Sequence, residues 1–472
     1  MTAKTEQFYI QRIADLEEQL KQRDKQIAAL IKKVEQLTEK VARLSKNSSN
    51  SSKPPSSDIV KHSQNKKGSS SRNIGGQPGH TKHERPPFTK DEINYFQTHT
   101  LDVCPDCGGK LNKVKGSEKV VQQVEIVKTP IEIEQHTCPR YWCQHCQKSH
   151  YAPMPAHIEK GQLIGPRLTA VIAYMKGACH CSFSTIRKFI RDVAGITISR
   201  GQLSNLIQKA SAAFEYAYNE LAEYLPNEAK LNIDETGHKE NKVRFWTWCF
   251  RAEDYTFFKI AQSRGSKVII DTIGKDFAGI IGCDYFSAYR KYMKDFDILV
   301  QFCLAHLIRE LKYLAGLTDK ATADYGQKLL DEIRQMFNIF HKADEMTAKD
   351  FAKAMEVSRK AFIDIALKDI PDNRQAQNLA NRFREHGDSY FRFITTPGIE
   401  PTNNLAEQAI RFVVIDRYIT QGTRSENGRA WCERIWTVLA TCTRQGKNAF
   451  EFIYQSIQAH FNNLPLPSLL GP

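Results

Sequence analysis

No uninterrupted apolar run in this 472-residue chain approaches the ~18 residues that a membrane helix requires. The N-terminus, MTAKTEQFYIQRIADLEEQL, lacks the apolar core of a secretory signal and is charged and amphipathic instead. These absences argue against a membrane partner and for a cytoplasmic protein. In a reducing compartment the 12 cysteines are not expected to form a disulfide framework, so a tight cluster of them reads first as metal ligands. Acidic charge is scarce as well. The chain holds 53 Asp+Glu against 67 Lys+Arg, a formal net charge of +14. A basic surface favours a polyanion, most commonly nucleic acid, although charge alone also fits a merely basic soluble protein.

What is present divides the chain into a multidomain α+β protein, its length suiting about three structural units. Residues 1–46 carry a heptad in which Ile13, Leu16, Leu20, Ile27, Leu30, Val34, Leu37, Val41 and Leu44 alternate at three and four, interrupted by Arg23. Such a seam is buried only against a partner, so an N-terminal coiled coil and a homo-oligomer are expected; a solvated helix is the alternative. Residues 47–98 are rich in Ser, Asn, Gly and Pro with mostly basic charge. They bury too little apolar surface to offset their ordering entropy and read as a basic linker.

Residues 99–155 are cysteine-rich. The pairs Cys104/Cys107 and Cys143/Cys146 are each spaced CxxC, and two such pairs complete a tetrahedral structural zinc site. The segment between them, VVQQVEIVKTPIEIEQH, alternates like a β-hairpin, giving a small zinc-binding β module. Cys138 and His145 are competing ligands, and a redox CxxC is the competing chemistry. Residues 156–226 read as successive helices. The turn AGITIS before Ser199, a candidate N-cap, resembles a helix-turn-helix whose recognition helix begins near Arg200. Three packed helices without that role fit equally.

From residue 227 the period changes to short strands mixed with helices: residues 227–304 suggest the first part of an α/β catalytic domain, 305–398 an all-helical insertion, and 399–472 the closing helices. Asp234 follows LNI and Asp284 follows IIGC, where buried strands are expected to emerge, and Glu407 lies on a helix opened by PTNN. Three carboxylates from separate elements can hold two divalent ions about 4 Å apart. Oxygen ligands suit Mg2+ or Mn2+. Glu235, Asp271, Asp276 and Glu400 are rival acids.

The ordered text SSNSSKPPSSD, GGQPGH, the paired CxxC module, LNIDETG, IIGCDYFSAY, FCLAHLIREL and TNNLAEQAIR, after a zipper-like start, resembles the bacterial insertion sequence sixty-six family of DDE transposases over essentially the full chain. The resemblance implies a ribonuclease H-like catalytic domain, with Asp234, Asp284 and Glu407 as catalytic metal ligands. It also implies binding of element ends and target DNA, strand cleavage and transfer, and helper proteins of the same element. Tyr289, Cys303, His306 and Arg309, the last three in a CxxH element, become candidates for supporting the site or contacting DNA. Asn403, Asn404 and Arg411 join them, with helix caps and an ion pair as the plainer roles. A DNA-binding regulator without catalysis and a nuclease without strand transfer are the other two classes these features allow.

Overall fold

The structure is a computed structural model that describes residues 3–44, 87–97 and 163–470, and between 106 and 161 several shorter segments. Helix α1 (Ala3–Leu44) is continuous. Its heptad residues Ile13, Leu16, Leu20, Ile27, Leu30, Val34, Leu37, Val41 and Leu44 are exposed, each at 43% or more. The basic linker lies largely outside the described residues. Near its end Phe88 exchanges both backbone hydrogen bonds with the Gln122 amide, N to Oε1 at 2.7 Å and Nε2 to O at 3.0 Å.

The hairpin expected in VVQQVEIVKTPIEIEQH falls partly outside the described residues, at 123 and 125–129. Among the described residues, 120–138 carry no strand, and the antiparallel pair is β1 (Arg140–Cys143) with β2 (Lys148–Tyr151). The turn between them spans the second CxxC, with Gln147 in the left-handed region at φ 52°. The knuckle itself closes the hairpin.

Five helices follow: α2 (Ala156–Gly161), α3 (Pro166–Gly177), α4 (Phe183–Ala194), α5 (Arg200–Ala213) and α6 (Glu215–Tyr224). Gly195 ends α4 at φ 70°, and the Ser199 side chain caps α5 by accepting from Gln202 N, as the turn chemistry dictates.

The sheet is mixed. Strands β3 (Lys230–Glu240), β4 (Val243–Arg251) and β5 (Thr256–Ala261) form an antiparallel meander. Helix α7 (Ser266–Ile273) then carries the chain back to the far side of β3, where β6 (Ile280–Cys283) pairs parallel to it. Helix α8 (Ser287–Phe296) leads to β7 (Leu299–Phe302), parallel to β6, so the order is β5-β4-β3-β6-β7. Beyond it, α9 (Leu304–Ala315), α10 (Lys320–His341), α11 (Ala348–Leu367), α12 (Arg374–His386) and the short α13 (Arg392–Thr395) pack largely on their sequence neighbours. The chain returns as α14 (Asn404–Thr420), α15 (Glu426–Arg444) and α16 (Ala449–Phe461). Helix α16 packs on α3 and α5, and α15 on α5, α6 and β5. The helices of 156–226 therefore share one core with the last two.

Strand β5 is an edge strand, yet it is not open. Its outward N–H groups at Thr256, Phe258 and Ile260 donate to Thr441 Oγ1 (3.2 Å), Thr437 Oγ1 (3.1 Å) and Glu433 Oε1 (2.6 Å) on α15. Side chains four apart on a helix rise about 6 Å, close to the ~6.8 Å between alternate strand residues, so helix and strand stay in step. Burial, opposed by Arg429, Lys259 and Arg434, pushes the Glu433 carboxyl up to about 7. Its folded value lies above its unfolded one, so the stability it contributes is present at low pH and is lost as pH rises from about 4.5 to 7. Glu433→Gln keeps the acceptor and removes the titration. Relative to wild type it is expected to gain on the order of 3 kcal/mol between pH 5 and pH 8, read as a flatter pH profile of thermal unfolding; parallel profiles would refute it.

Candidate active site

Asp234 lies within β3, not at its end. The apolar run LNI stops there, but β4 pairs with β3 from Asn232↔Arg251 to Glu240↔Val243 and carries the strand onward through polar residues. The parallel partner ends sooner, at Asn232↔Gly282. Asp234 thus sits just past the carboxyl end of the parallel half, beside Asp284, which directly follows β6. Each accepts a local backbone N–H at 2.9 Å, Asp234 from Glu235 and Asp284 from Phe286. Neither forms an ion pair among the described residues.

Helix α14 lies across the face of β3 that carries Asn232, Asp234 and Thr236, residues two apart and so on one side of the strand. It is fastened at both ends. At its start, Asn403 is 1% exposed; its Nδ2 donates to Ile233 O at 2.8 Å, its Oδ1 accepts from Asn232 Nδ2 at 2.9 Å, and its N donates to Cys303 Sγ at 3.1 Å. Further along, Arg417 Nη1 donates to Thr236 Oγ1 at 3.0 Å and to Gly237 O. Gly282 makes the first latch possible, because a Cβ there would meet Asn232 Nδ2 at 2.5 Å. Between the fastenings, Glu407 in the first turn enters the field of Asp234.

Burial, followed by the carboxylates of Glu235, Asp284 and Glu407, holds the Asp234 carboxyl well above its ordinary range. Glu407 Oε2 receives Arg309 Nη2 at 3.4 Å, while its Oε1 faces His306 Nδ1 at 3.6 Å. Burial lowers the His306 pKa, and the neighbouring Glu407 and Asp284 oppose that change. Cys303 is buried and its thiol is pushed up to about 11.

Glu235 is adjacent in sequence to Asp234, but the pleat turns it to the opposite face. There it is held by Arg264 (Nε 2.8 Å, Nη2 2.7 Å) and accepts Tyr289 Oη at 2.5 Å. Burial and Asp284 raise it to about 7 against the pull of Arg264 and Tyr289. Arg264 itself lies over the rings of Phe286 (3.9 Å) and Trp246 (4.6 Å). No local signal marks Arg264 in the chain. Its strand-to-helix loop is ordinary text, and only the fold brings it to Glu235. The other rival acids, Asp271, Asp276 and Glu400, are exposed and take no part in this cluster.

The other candidate residues make no side-chain contact with these acids among the described residues, although Asn404 and Arg411 flank Glu407 on α14 at three and four residues. Asn404 and Arg411 are exposed on α14, and Asn403 is spent on packing. Arg200 bonds Ser184 on α4 at the start of α5. Helix α5 is hemmed in by α3, α15 and α16, burying Leu203, Leu206, Ile207 and Ala210. Helix α4 buries only Ile186 and Ile190 and leaves Ser184, Lys188 and Arg191 exposed. Helix α5 likewise keeps Arg200, Asn205 and Gln208 exposed, so both helices present an outer face. In the cysteine module, Cys104 lies outside the described residues. Cys107 and Cys146 are exposed free thiols, and Cys146 Sγ lies 3.5 Å from His150 Nε2.

The chain is a mostly helical, mixed α/β protein whose sheet and returning helix bring Asp234, Asp284, Glu407 and His306 into one another's electrostatic field. No helix among the described residues is long and apolar enough to cross a membrane. The sequence model for the Transposase IS66 family matches residues 161–430, and the chain belongs to that family. A zinc-finger binding domain of transposase IS66 matches residues 102–147, and a family of unknown function matches residues 1–86. Two similar proteins from Sinorhizobium fredii are both described as uncharacterized. The protein y4qI is 22% identical over 82% of this chain and 76% of its own length, and y4hP 21% over 72% and 67%. The chain is a transposase with a zinc-binding module, and its family implies DNA as partner.

Proposed function

We propose that Asp234, Asp284 and Glu407 are the metal-binding triad of a DDE transposase that binds the terminal inverted repeats of its element, cleaves there and joins the ends to target DNA. The observation that carries this reading is the meeting of three acids from β3, the end of β6 and the first turn of α14. The strand order, an antiparallel meander flanked by two parallel strands, supports a ribonuclease H-like catalytic domain interrupted by the helices of 305–398. The donor set fits divalent ions. Among the described residues two of the acids have no cation against them, and Glu407 Oε1 and His306 Nδ1 are buried without a hydrogen-bond partner. Hard carboxylate oxygens suit Mg2+ or Mn2+.

When bound, two such ions would activate the attacking oxygen and stabilise the leaving one. The chain's own residues set the geometry. The β3–α14 fastenings fix the distance between Asp234 and Glu407, and Arg309 holds one oxygen of Glu407. In cleavage, water oxygen bonds to phosphorus as the P–O3′ bond breaks, leaving a 3′-hydroxyl and a 5′-phosphate. In joining, that hydroxyl attacks a target phosphate, whose own 3′ oxygen departs with the proton, so the number of phosphodiesters is unchanged.

Cys104, Cys107, Cys143 and Cys146 would hold the structural zinc and the α1 seam a second copy of the chain. The exposed basic face of α4 would take part in DNA binding, which should weaken as salt rises.

A labelled element end incubated with protein and Mg2+ or Mn2+ separates the classes. A transposase cuts and joins it, a nuclease only cuts, and a regulator only binds. Binding without metal-dependent cleavage would overturn the proposal.

A further inference from the structure

The first turns of α9 and α14 are tied together, Leu304 N donating to Pro401 O at 2.9 Å and Asn403 N to Cys303 Sγ at 3.1 Å. This sets His306 directly against Glu407. Their facing atoms, Nδ1 and Oε1, stand 3.6 Å apart, both buried and both without a hydrogen-bond partner. That spacing is too long for a good hydrogen bond. Two ligands each about 2.1 Å from one ion stand roughly 3.0–3.4 Å apart at octahedral to tetrahedral angles, so little movement would let both bind it. The other oxygen of Glu407 faces Arg309, which leaves Oε1 for the ion. Cys303, His306 and Glu407 each offer one ligand atom, and these three atoms lie within 4.8 Å of one another. Cys303 Sγ already accepts the Asn403 N–H, which makes it a tether for α14.

We propose that His306 is a nitrogen ligand of the ion bound by Glu407, so that one of the two ion sites has a mixed nitrogen and oxygen shell and favours Mn2+ over Mg2+. The inference rests on the metal-binding reading above and adds a ligand to it. Imidazole suits later divalent metals, whereas Mg2+ prefers oxygen and water.

The test uses the full chain with its zinc in place. Bound Mn2+ is examined by pulsed electron paramagnetic resonance, and Mn2+ and Mg2+ affinities by titration calorimetry. Wild-type protein is expected to give a nitrogen modulation on Mn2+ that His306→Ala abolishes. The same change should weaken Mn2+ binding by at least the cost of losing an outer-shell partner, about 10–100-fold, with a smaller loss for Mg2+. His306→Asp, which restores an oxygen ligand, should recover Mg2+ affinity and keep the nitrogen signal absent. An oxygen-only spectrum in wild type, or a nitrogen signal that survives in His306→Ala, would overturn the inference. Failure of the triad reading looks different, because Mn2+ binding would then persist unchanged in Asp284→Asn and Glu407→Gln.

Discussion

Asp234→Asn is expected to abolish DNA cleavage and, with metal chelated, to raise the melting temperature. The two effects have one origin. In the fold, burial and the acids Glu235, Asp284 and Glu407 hold the Asp234 carboxyl well above its ordinary range. A group raised in this way stabilises the fold only below its folded pKa, and its ionised form penalises the fold as pH rises through that value. Above the ordinary carboxylate range the metal-free protein therefore gives up stability by holding this carboxyl against ionisation, a cost that an amide removes, at about 1.4 kcal/mol for each tenfold loss of acidity. Each kcal/mol recovered is worth about 2–4 °C in a domain of this size. Under the proposed assignment the same charge supplies several kcal/mol of metal-borne transition-state stabilisation, so cleavage should fall on the order of 10³-fold or more. Added Mn2+ should raise the melting temperature of the wild type more than that of the variant. A variant that loses stability in chelator, or keeps full cleavage, would remove Asp234 from the proposed role.

The second large effect is expected from Asn403→Leu, a change of similar size at a residue that faces no substrate. Asn403 joins β3 to α14 through Ile233 O and Asn232 Nδ2. Leucine leaves the buried Ile233 carbonyl without this partner, at about 1–3 kcal/mol, and releases the half-buried Asn232 amide. The first turn of α14 then loses its register on the strand, and Glu407 with it. A displacement of about 1 Å at such a site costs on the order of 10²-fold in rate. Gly282→Ala should give the same defect from the other side, by pushing the Asn232 amide out of the latch. Asn404→Ala, one residue away but exposed, should leave stability unchanged. Cleavage rates and thermal unfolding of the three variants decide the matter; wild-type cleavage by Asn403→Leu would refute the latch.

These two residues mark how far local signals reach. Asp234 stands out in the chain because an acid after an apolar run is a local signal. The strand nevertheless continues past it, because its length is set by the partner strand VRFWTWCFR. From the chain alone Asn403 reads as a cap or a phosphate contact. It occupies the cap position of α14, but its amide turns to β3, a partner far away in sequence. Glu235 is a fair rival to Asp234 until the pleat puts them on opposite faces. In the cysteine module a four-residue turn after Cys143 closes β1 on β2, a pairing that the alternation upstream does not announce.

Short-range chemistry is legible in the chain alone. It marks the long heptad helix, the Ser199 cap and Gly195 stop, the paired CxxC spacing, and the alternation of strand and helix from residue 227 onward. Periodicity, capping and ligand spacing act over a few residues, so they are written in the local text. The packed fold, and nothing short of it, settles which face each acid occupies, that α5 packs among α3, α15 and α16, and that His306 meets Glu407. Those outcomes depend on β6 inserting beside β3 and on α14 returning across it after the helical block. Pairings of that kind join residues far apart in the chain, so they follow from the packing of the whole core.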